Sequence, residues 1–159
     1  MSIAYLQQYS FCASMGDRAY PDGMCMDALR AKMKALQRLK ETLSKSDCAI
    51  LVEGKHDKRA LIRAGFMGAN VIAVSGRKPE KIVESLAYGS SVKRVVILMD
   101  FDESGRKLAK RWAEALCGYD LRIDSEVPRK MRWVFGIKTV EDLPTALEKF
   151  EEKCNRCTN

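Results

Sequence analysis

Long apolar runs are the first thing this sequence lacks. No segment approaches the roughly 20 apolar residues that a bilayer-spanning helix needs, so no membrane partner is expected. The start of the chain has no basic stretch leading into an apolar core and a cleavage site, and a cytoplasmic location is the expectation. Internal repeats, low-complexity tracts and linkers are also missing, which leaves 159 residues to form one domain with a sizeable core. Histidine is nearly absent. His56 stands alone next to Glu53 and Asp57, and reads as a bystander or a phosphate contact before a general base. The six cysteines (Cys12, Cys25, Cys48, Cys117, Cys154 and Cys157) show no disulfide framework. Of these, Cys48 and Cys117 fall on apolar elements and read as core thiols in a reducing compartment. An acidic excess is lacking too: 28 Lys and Arg against 21 Asp and Glu leave a net charge of +7, which favours polyanion partners.

What the sequence does have is apolar periodicity. Residues 1–23 show little of it, although Tyr5, Tyr9, Phe11 and Tyr20 make an aromatic arm suited to packing on the domain or on a partner. From about Met24 to Ser44, the residues Met26, Leu29, Met33, Leu36, Leu39 and Leu43 recur at threes and fours and predict an amphipathic helix. Its other face carries Arg30, Lys32, Lys34, Arg38 and Lys40, a solvated face by preference and a phosphate-contacting one as the minority reading. Apolar runs at 48–52, 71–74 and 95–99 then alternate with helical patterns at 57–64, 79–89 and 103–116, and a weaker strand follows at 121–123. Gly65 stands in a helix-stop position and Pro79 suits a first helical turn. Such alternation implies a parallel sheet with right-handed crossovers. A helix at 128–135, stopped by Gly136, places Arg129, Lys130 and Arg132 beside Trp133; that mix suits nucleic acid, but packing of Met131, Trp133 and Phe135 is the more ordinary account. A last helix runs from near Asp142 to about Lys153, capped by Thr139 or Asp142, with Pro144 favouring the later start.

In a parallel sheet the carboxyl ends of the strands share one edge, and in open α/β sheets ligands bind there. Glu53-Gly54, Ser75-Gly76-Arg77-Lys78 and Asp100-Phe101-Asp102 would converge on it. Two acids one residue apart suit a hard divalent cation such as Mg²⁺; alternatively, one caps the following helix and the other is solvated. Glu53 would be a third ligand, or a general acid or base with its pKa raised by neighbouring negative charge. Gly54 would let a phosphate approach the backbone, and Arg77, Lys78, Arg106 and Lys107 would hold phosphates. Acids for Mg²⁺ ringed by bases for phosphate describe phosphoryl or phosphodiester transfer.

Taken together, Leu51-Val-Glu53-Gly54-Lys-His-Asp57, then Ser75-Gly76, then Asp100-Phe-Asp102-Glu-Ser-Gly105-Arg106 resemble the Toprim domain. That domain is shared by bacterial-type primases, topoisomerases, OLD-family nucleases, recombination mediators and small ribosomal-RNA maturation nucleases. The resemblance implies an α/β fold with a mostly parallel sheet flanked by helices. It divides the chain into an N-terminal arm and amphipathic helix (1–46), the Toprim domain (47–124) and C-terminal helices packing on the same domain (125–159). It further implies Glu53 as general acid or base and occasional metal ligand, Asp100 and Asp102 as ligands of Mg²⁺ (or Mn²⁺), and Asp57 in support. Gly54, Ser75, Gly76, Arg77, Lys78, Gly105, Arg106 and Lys107 fall where phosphate or nucleic acid would be touched. The chain departs from the topoisomerase pattern, which continues to a further acid and carries a cleavage tyrosine on extra domains, and no zinc module precedes the domain as in primases. Its size and its Val140-Glu-Asp-Leu-Pro segment resemble the small stand-alone Toprim proteins of archaea.

The expected function is Mg²⁺-dependent phosphodiester chemistry on nucleic acid, as endonucleolytic cleavage of structured RNA or DNA. Its rival is a non-catalytic nucleic-acid-binding or scaffold module working with protein partners in a repair, replication or RNA-processing complex. A haloacid-dehalogenase-like phosphatase would need a later acidic pair at a strand end, and a receiver domain would need two acids after its first strand; neither is present. Zinc is not expected, because Cys154-Asn-Arg-Cys157 is a single CxxC at a chain end and nothing forces Cys12 and Cys25 towards it.

Overall fold

The continuous apolar runs form the sheet. In the computed structural model, which describes residues 26–66 and 70–156, four parallel strands lie in the order β2-β1-β3-β4. They are β1 (Cys48–Val52), β2 (Asn70–Ala73), β3 (Arg94–Ile97) and β4 (Arg122–Ile123). Every residue of β1 is buried, as expected of a strand covered on both faces. The sheet contact of β3 continues past its last ladder residue, since the Leu98 amide donates to the Leu51 carbonyl at 2.8 Å, and Leu98 and Met99 are both buried.

Alternate side chains of the strands feed two apolar layers. Cys48, Ile50, Val52, Val96 and Leu98 face one layer, built with α1 (Met26–Leu43), α2 (Lys55–Arg63), α5 (Glu126–Phe135) and α6 (Leu143–Arg156). On the other side, Ala49, Leu51, Val95, Ile97 and Met99 face a layer built with α3 (Pro79–Gly89) and α4 (Glu103–Leu116). Leu36, Leu39 and Leu43 of α1 are almost wholly buried, which makes that helix part of the core. A 3₁₀ turn, Val140–Asp142, leads into α6. No helix among the described residues is long and apolar enough to cross a membrane.

The chain pattern places a crevice. From β1 the chain crosses through α2 on one face to β2, whereas from β3 it crosses through α4 on the other face to β4. The neighbours β1 and β3 are therefore followed by helices on opposite faces. This is a topological switch point, and the gap above it at the carboxyl ends is where doubly wound sheets take ligands.

Several element boundaries differ from the sequence expectation, each for a local reason. Helix α2 begins at Lys55, two residues early, because the Asp57 carboxylate reaches back to the Gly54 amide and closes the first turn (2.8 Å). Helix α5 also begins early, at Glu126, since Pro128 lies within the first turn, where its missing N–H has no helical partner to lose. The Asp124 carboxylate accepts from the Glu126 and Val127 amides and caps that end (2.9 and 3.2 Å). Cys117, expected in the core, is exposed, because Leu116 closes the buried face of α4 and the chain leaves the helix in an extended conformation at Cys117. Cys48 is buried, and the apolar surroundings push its thiol up to about 11, the behaviour of an inert core cysteine. The aromatic arm, Cys12, Cys25 and Cys157 lie outside the described residues, so three of the four thiols considered for zinc do as well.

Candidate metal centre at the sheet edge

Glu53 and Asp100 sit on neighbouring strand ends at the switch point. In the β1–β3 register Leu51 lies opposite Ile97, so Glu53 follows two residues and Asp100 three residues beyond that pair. The chain after β2 closes the other side: the Ser75 amide donates to the Glu53 carbonyl at 2.9 Å. There the backbone turns on itself, with the Arg77 amide donating to the Val74 carbonyl (3.0 Å), and Gly76 takes the positive φ of 71° that the turn requires. Ser75, Gly76, Arg77 and Lys78 are all exposed beside the crevice.

Each aspartate spends one oxygen on the fold. Asp102 is the N-cap of α4, its Oδ1 accepting from the Gly105 amide at 2.7 Å. Asp100 Oδ1 accepts from the Val140 amide at 2.8 Å, forty positions along the chain. A second bond beside it runs from the Phe101 amide to the Lys138 carbonyl, also at 2.8 Å. This strap brings the 3₁₀ turn against α2 and the sheet edge. It also delivers an acid that the sequence pattern does not assign to the site: Asp142 is close enough for its charge to act on Asp100. The Val140-Glu-Asp-Leu-Pro segment carries the available signal, but there Asp142 reads only as a helix cap.

The electrostatics are one-sided. Loss of hydration raises the pKa of Glu53 first, and then the negative charges of Asp100, Asp57 and Asp102 raise it further. Glu53 is open to solvent as a residue, so its loss of hydration is that of a carboxylate at the mouth of a crevice. Burial likewise leads the upward shift of Asp100, with the Val140 hydrogen bond opposing it and Asp57, Asp102 and Asp142 adding to it. Every side-chain charge acting on these two groups is negative. Asp57, the one buried charged residue of the described chain, is held by its bond to the Gly54 amide.

No cationic side chain is among the charges acting on Glu53 or Asp100. Arg106 and Lys107 are exposed near the start of α4, and Lys107 pairs with Glu103 at 2.8 Å. Among the described residues, no three His, Cys, Asp or Glu side chains are grouped as a ready-made cation cage. Mg²⁺ does not ask for one: it keeps several waters and is held by one or two carboxylates together with substrate phosphate. The remaining oxygens of Asp100 and Asp102, with Glu53 beside them, are hard donors whose mutual repulsion a divalent cation would relieve. The donor set fits Mg²⁺, and Mn²⁺ by the same chemistry.

Two glycines of the site have opposite physical roles. A Cβ on Gly105 would lie 2.8 and 2.9 Å from the Asp100 carbonyl carbon and amide nitrogen and would meet the carbonyl oxygen closer still. The first turn of α4 can seat on the Asp100 backbone only without a side chain there. Gly54 has φ of −125°, and a Cβ on it would touch Asp57 Oδ2 at an ordinary 3.6 Å, so the fold does not require a glycine there. Gly105→Ala is expected to destabilise the protein by about 1–3 kcal/mol or more, whereas Gly54→Ala should leave thermal stability within about 1 kcal/mol of wild type. Denaturant unfolding of the two variants side by side checks the pair; equal stabilities would contradict this account of the turn.

A pH dependence follows from the raised carboxylates. A carboxyl group whose folded pKa exceeds its unfolded one binds its proton more tightly in the folded state. Its ionisation therefore opposes folding, from the ordinary values of 4.5 for Glu53 and 3.8 for Asp100 upward, with the full penalty above the folded values. In metal-free buffer Glu53→Gln should raise the melting temperature by about one to a few degrees at pH 7, and this gain should vanish near pH 4. Melting curves at both pH values test it; a loss of stability at pH 7 would contradict the repulsion.

Comparison with known proteins agrees with the architecture. The Toprim domain family profile matches residues 48–130. A UPF0292 protein of Pyrococcus abyssi is 36% identical over 112 residues, covering 69% of this chain and 82% of its own. One from Thermococcus kodakarensis is 38% identical over the same length, covering 69% and 81%. Among solved structures, a protein of Aquifex aeolicus superposes with a TM-score of 0.57 at 28% identity, over 69% of this chain and 95% of that one. With the four-stranded parallel sheet and the strand-end acids in place, the chain belongs to the Toprim domain family and is a relative of the small archaeal UPF0292 proteins.

Proposed function

We propose that this protein carries out Mg²⁺-dependent phosphodiester chemistry on nucleic acid, in the form of endonucleolytic cleavage of structured RNA or DNA. Family membership supports the coarser part of that reading, since Toprim domains go with metal-dependent, nucleic-acid-related activities of the nuclease and primase kind. One observation carries the finer part: the charges of Asp100, Asp57 and Asp102 act on Glu53, and those of Asp57, Asp102 and Asp142 act on Asp100, with no cationic side chain among them. An uncompensated acidic cluster is costly in a folded protein, and a cation that brings phosphate with it offsets the cost.

In this reading Asp100 and Asp102 hold the ion through the oxygens not used by the Val140 and Gly105 amides. The bound ion supplies Lewis-acid stabilisation of charge building on the phosphate. Glu53, solvent-accessible and with its pKa raised, takes the proton from the attacking water or returns it to the leaving oxygen. Arg77, Lys78 and Arg106 hold flanking phosphates from the rim. Asp57 fixes the Glu53-Gly54 turn and adds negative charge behind it.

A second reading, that of a non-catalytic binding module, is favoured by one observation. Both aspartates have structural tasks, one capping α4 and one holding the strap, that would preserve them in a protein without activity. Cleavage assays separate the two. Structured RNA and supercoiled plasmid, incubated with Mg²⁺, Mn²⁺ or chelator, should be cut by the wild type only with metal. Glu53→Gln and Asp100→Asn/Asp102→Asn should each lower the rate by about a hundredfold or more. Binding without cutting, unaltered in those variants, would replace the nuclease reading with the binding module.

A further inference from the structure

A second surface, away from the acidic cluster, combines two features that lie a hundred positions apart in the sequence. Helices α1 and α5 pack side by side and leave between them a groove of about 540 Å³ lined by Ala31, Lys34, Ala35, Arg38, Arg129, Lys130 and Trp133. No acidic residue is among these. Trp133 is 50% exposed, whereas its helix neighbours Met131 and Val134 are buried. It is therefore not the packing residue that the pattern of α5 suggests. Lys32 Nζ lies 5.8 Å from the centre of its indole, a cation–π arrangement.

The basic face of α1 and the basic-aromatic run of α5, each readable alone as an ordinary solvated face, thus form one groove. Glu126 partly offsets it, pairing with Arg129 at 2.6 Å and with Lys130 at 3.7 Å. Lys32, Lys34 and Arg38 remain to set the sign of the groove. An exposed indole held among cations suits a chain that presents phosphates and unstacked bases together, which is single-stranded nucleic acid. A duplex keeps its base faces covered and would leave the indole without a partner. Helix α5 also links this groove to the acidic edge: Arg132, the residue before Trp133, lies with its guanidinium carbon 5.8 Å from the centre of the Phe101 ring, between Asp100 and Asp102.

We infer that the α1–α5 groove binds single-stranded nucleic acid, with a base stacked on Trp133 and the adjoining phosphates on Lys34 and Arg38. The inference goes beyond the cleavage proposed above and does not need it, because the groove shares no residue with the acidic cluster. Its test is run in EDTA, so that metal-dependent chemistry plays no part. The full chain is titrated with a short fluorescein-labelled single-stranded oligonucleotide, as RNA and as DNA, following anisotropy and tryptophan emission. Trp112 is buried and Trp133 exposed, so stacking should quench the exposed population.

Trp133→Ala should weaken binding about tenfold or more and abolish the quenching, and Trp133→Phe should restore most of the affinity. Lys34→Glu/Arg38→Glu should weaken binding and lower the salt dependence, by about 0.7 in the log–log slope for each phosphate that is no longer neutralised. Lys81→Ala, on α3 in the layer across the sheet from the groove, should bind as the wild type does. The inference is overturned if the wild type does not bind, if it binds without quenching, or if the Trp133 and Lys34/Arg38 variants bind as tightly as the wild type.

Discussion

Asp100 accepts the Val140 amide with one oxygen and leaves the other at the switch point of the sheet. That bond, with the Phe101–Lys138 bond beside it, joins the carboxyl edge of the sheet to the segment that opens α6. In the strapped arrangement the charge of Asp142 acts on Asp100. The carboxylate is held half-buried by the strap, among like charges that raise its pKa. Structural and chemical demands thus fall on one side chain, and the hydrogen bond that lowers its pKa does not overcome the burial that raises it.

The same economy recurs around the edge. Asp57 closes the first turn of α2 and contributes negative charge to Glu53; Asp102 caps α4 and does likewise. A helix N-terminus favours an anion, so α2 and α4, starting beside the crevice, temper the cost of gathering the acids there. Gly105 lets the first turn of α4 seat directly on the Asp100 backbone. Phe101 packs against the core layer of α1, α5 and α6, so the loop bearing both aspartates is anchored from below.

The sheet is legible in the sequence because parallel strands buried on both faces read as unbroken apolar runs, and because Glu53, Ser75 and Asp100 each follow such a run. Their common edge then follows from the parallel direction of the strands. What sequence does not supply is contact between distant segments. Asp142 reaches Asp100 through a bond spanning forty residues, and no local pattern encodes it. Trp133 reads as core because α5 has apolar residues at 131, 133, 134 and 135; only the packing partner decides which of them face inward, and α1 takes Met131 and Val134. The basic face of α1 reads as solvated for the same reason, as its neighbour lies in a different part of the chain. Cys117 misses the core by a single residue, the helix ending at Leu116.

The proposed function requires the strand-end carboxylates to hold a divalent cation. Titrating Mn²⁺ into the full chain while following its electron paramagnetic resonance signal tests that claim without assuming any substrate. Signal loss corresponding to a bound ion is expected, reversed by excess Mg²⁺ and markedly weakened in Asp100→Asn. Asparagine can still accept the Val140 amide through its side-chain oxygen, so a folded variant that loses the ion isolates the charge. Full Mn²⁺ signal at every addition, or equal binding by wild type and Asp100→Asn, would contradict the account.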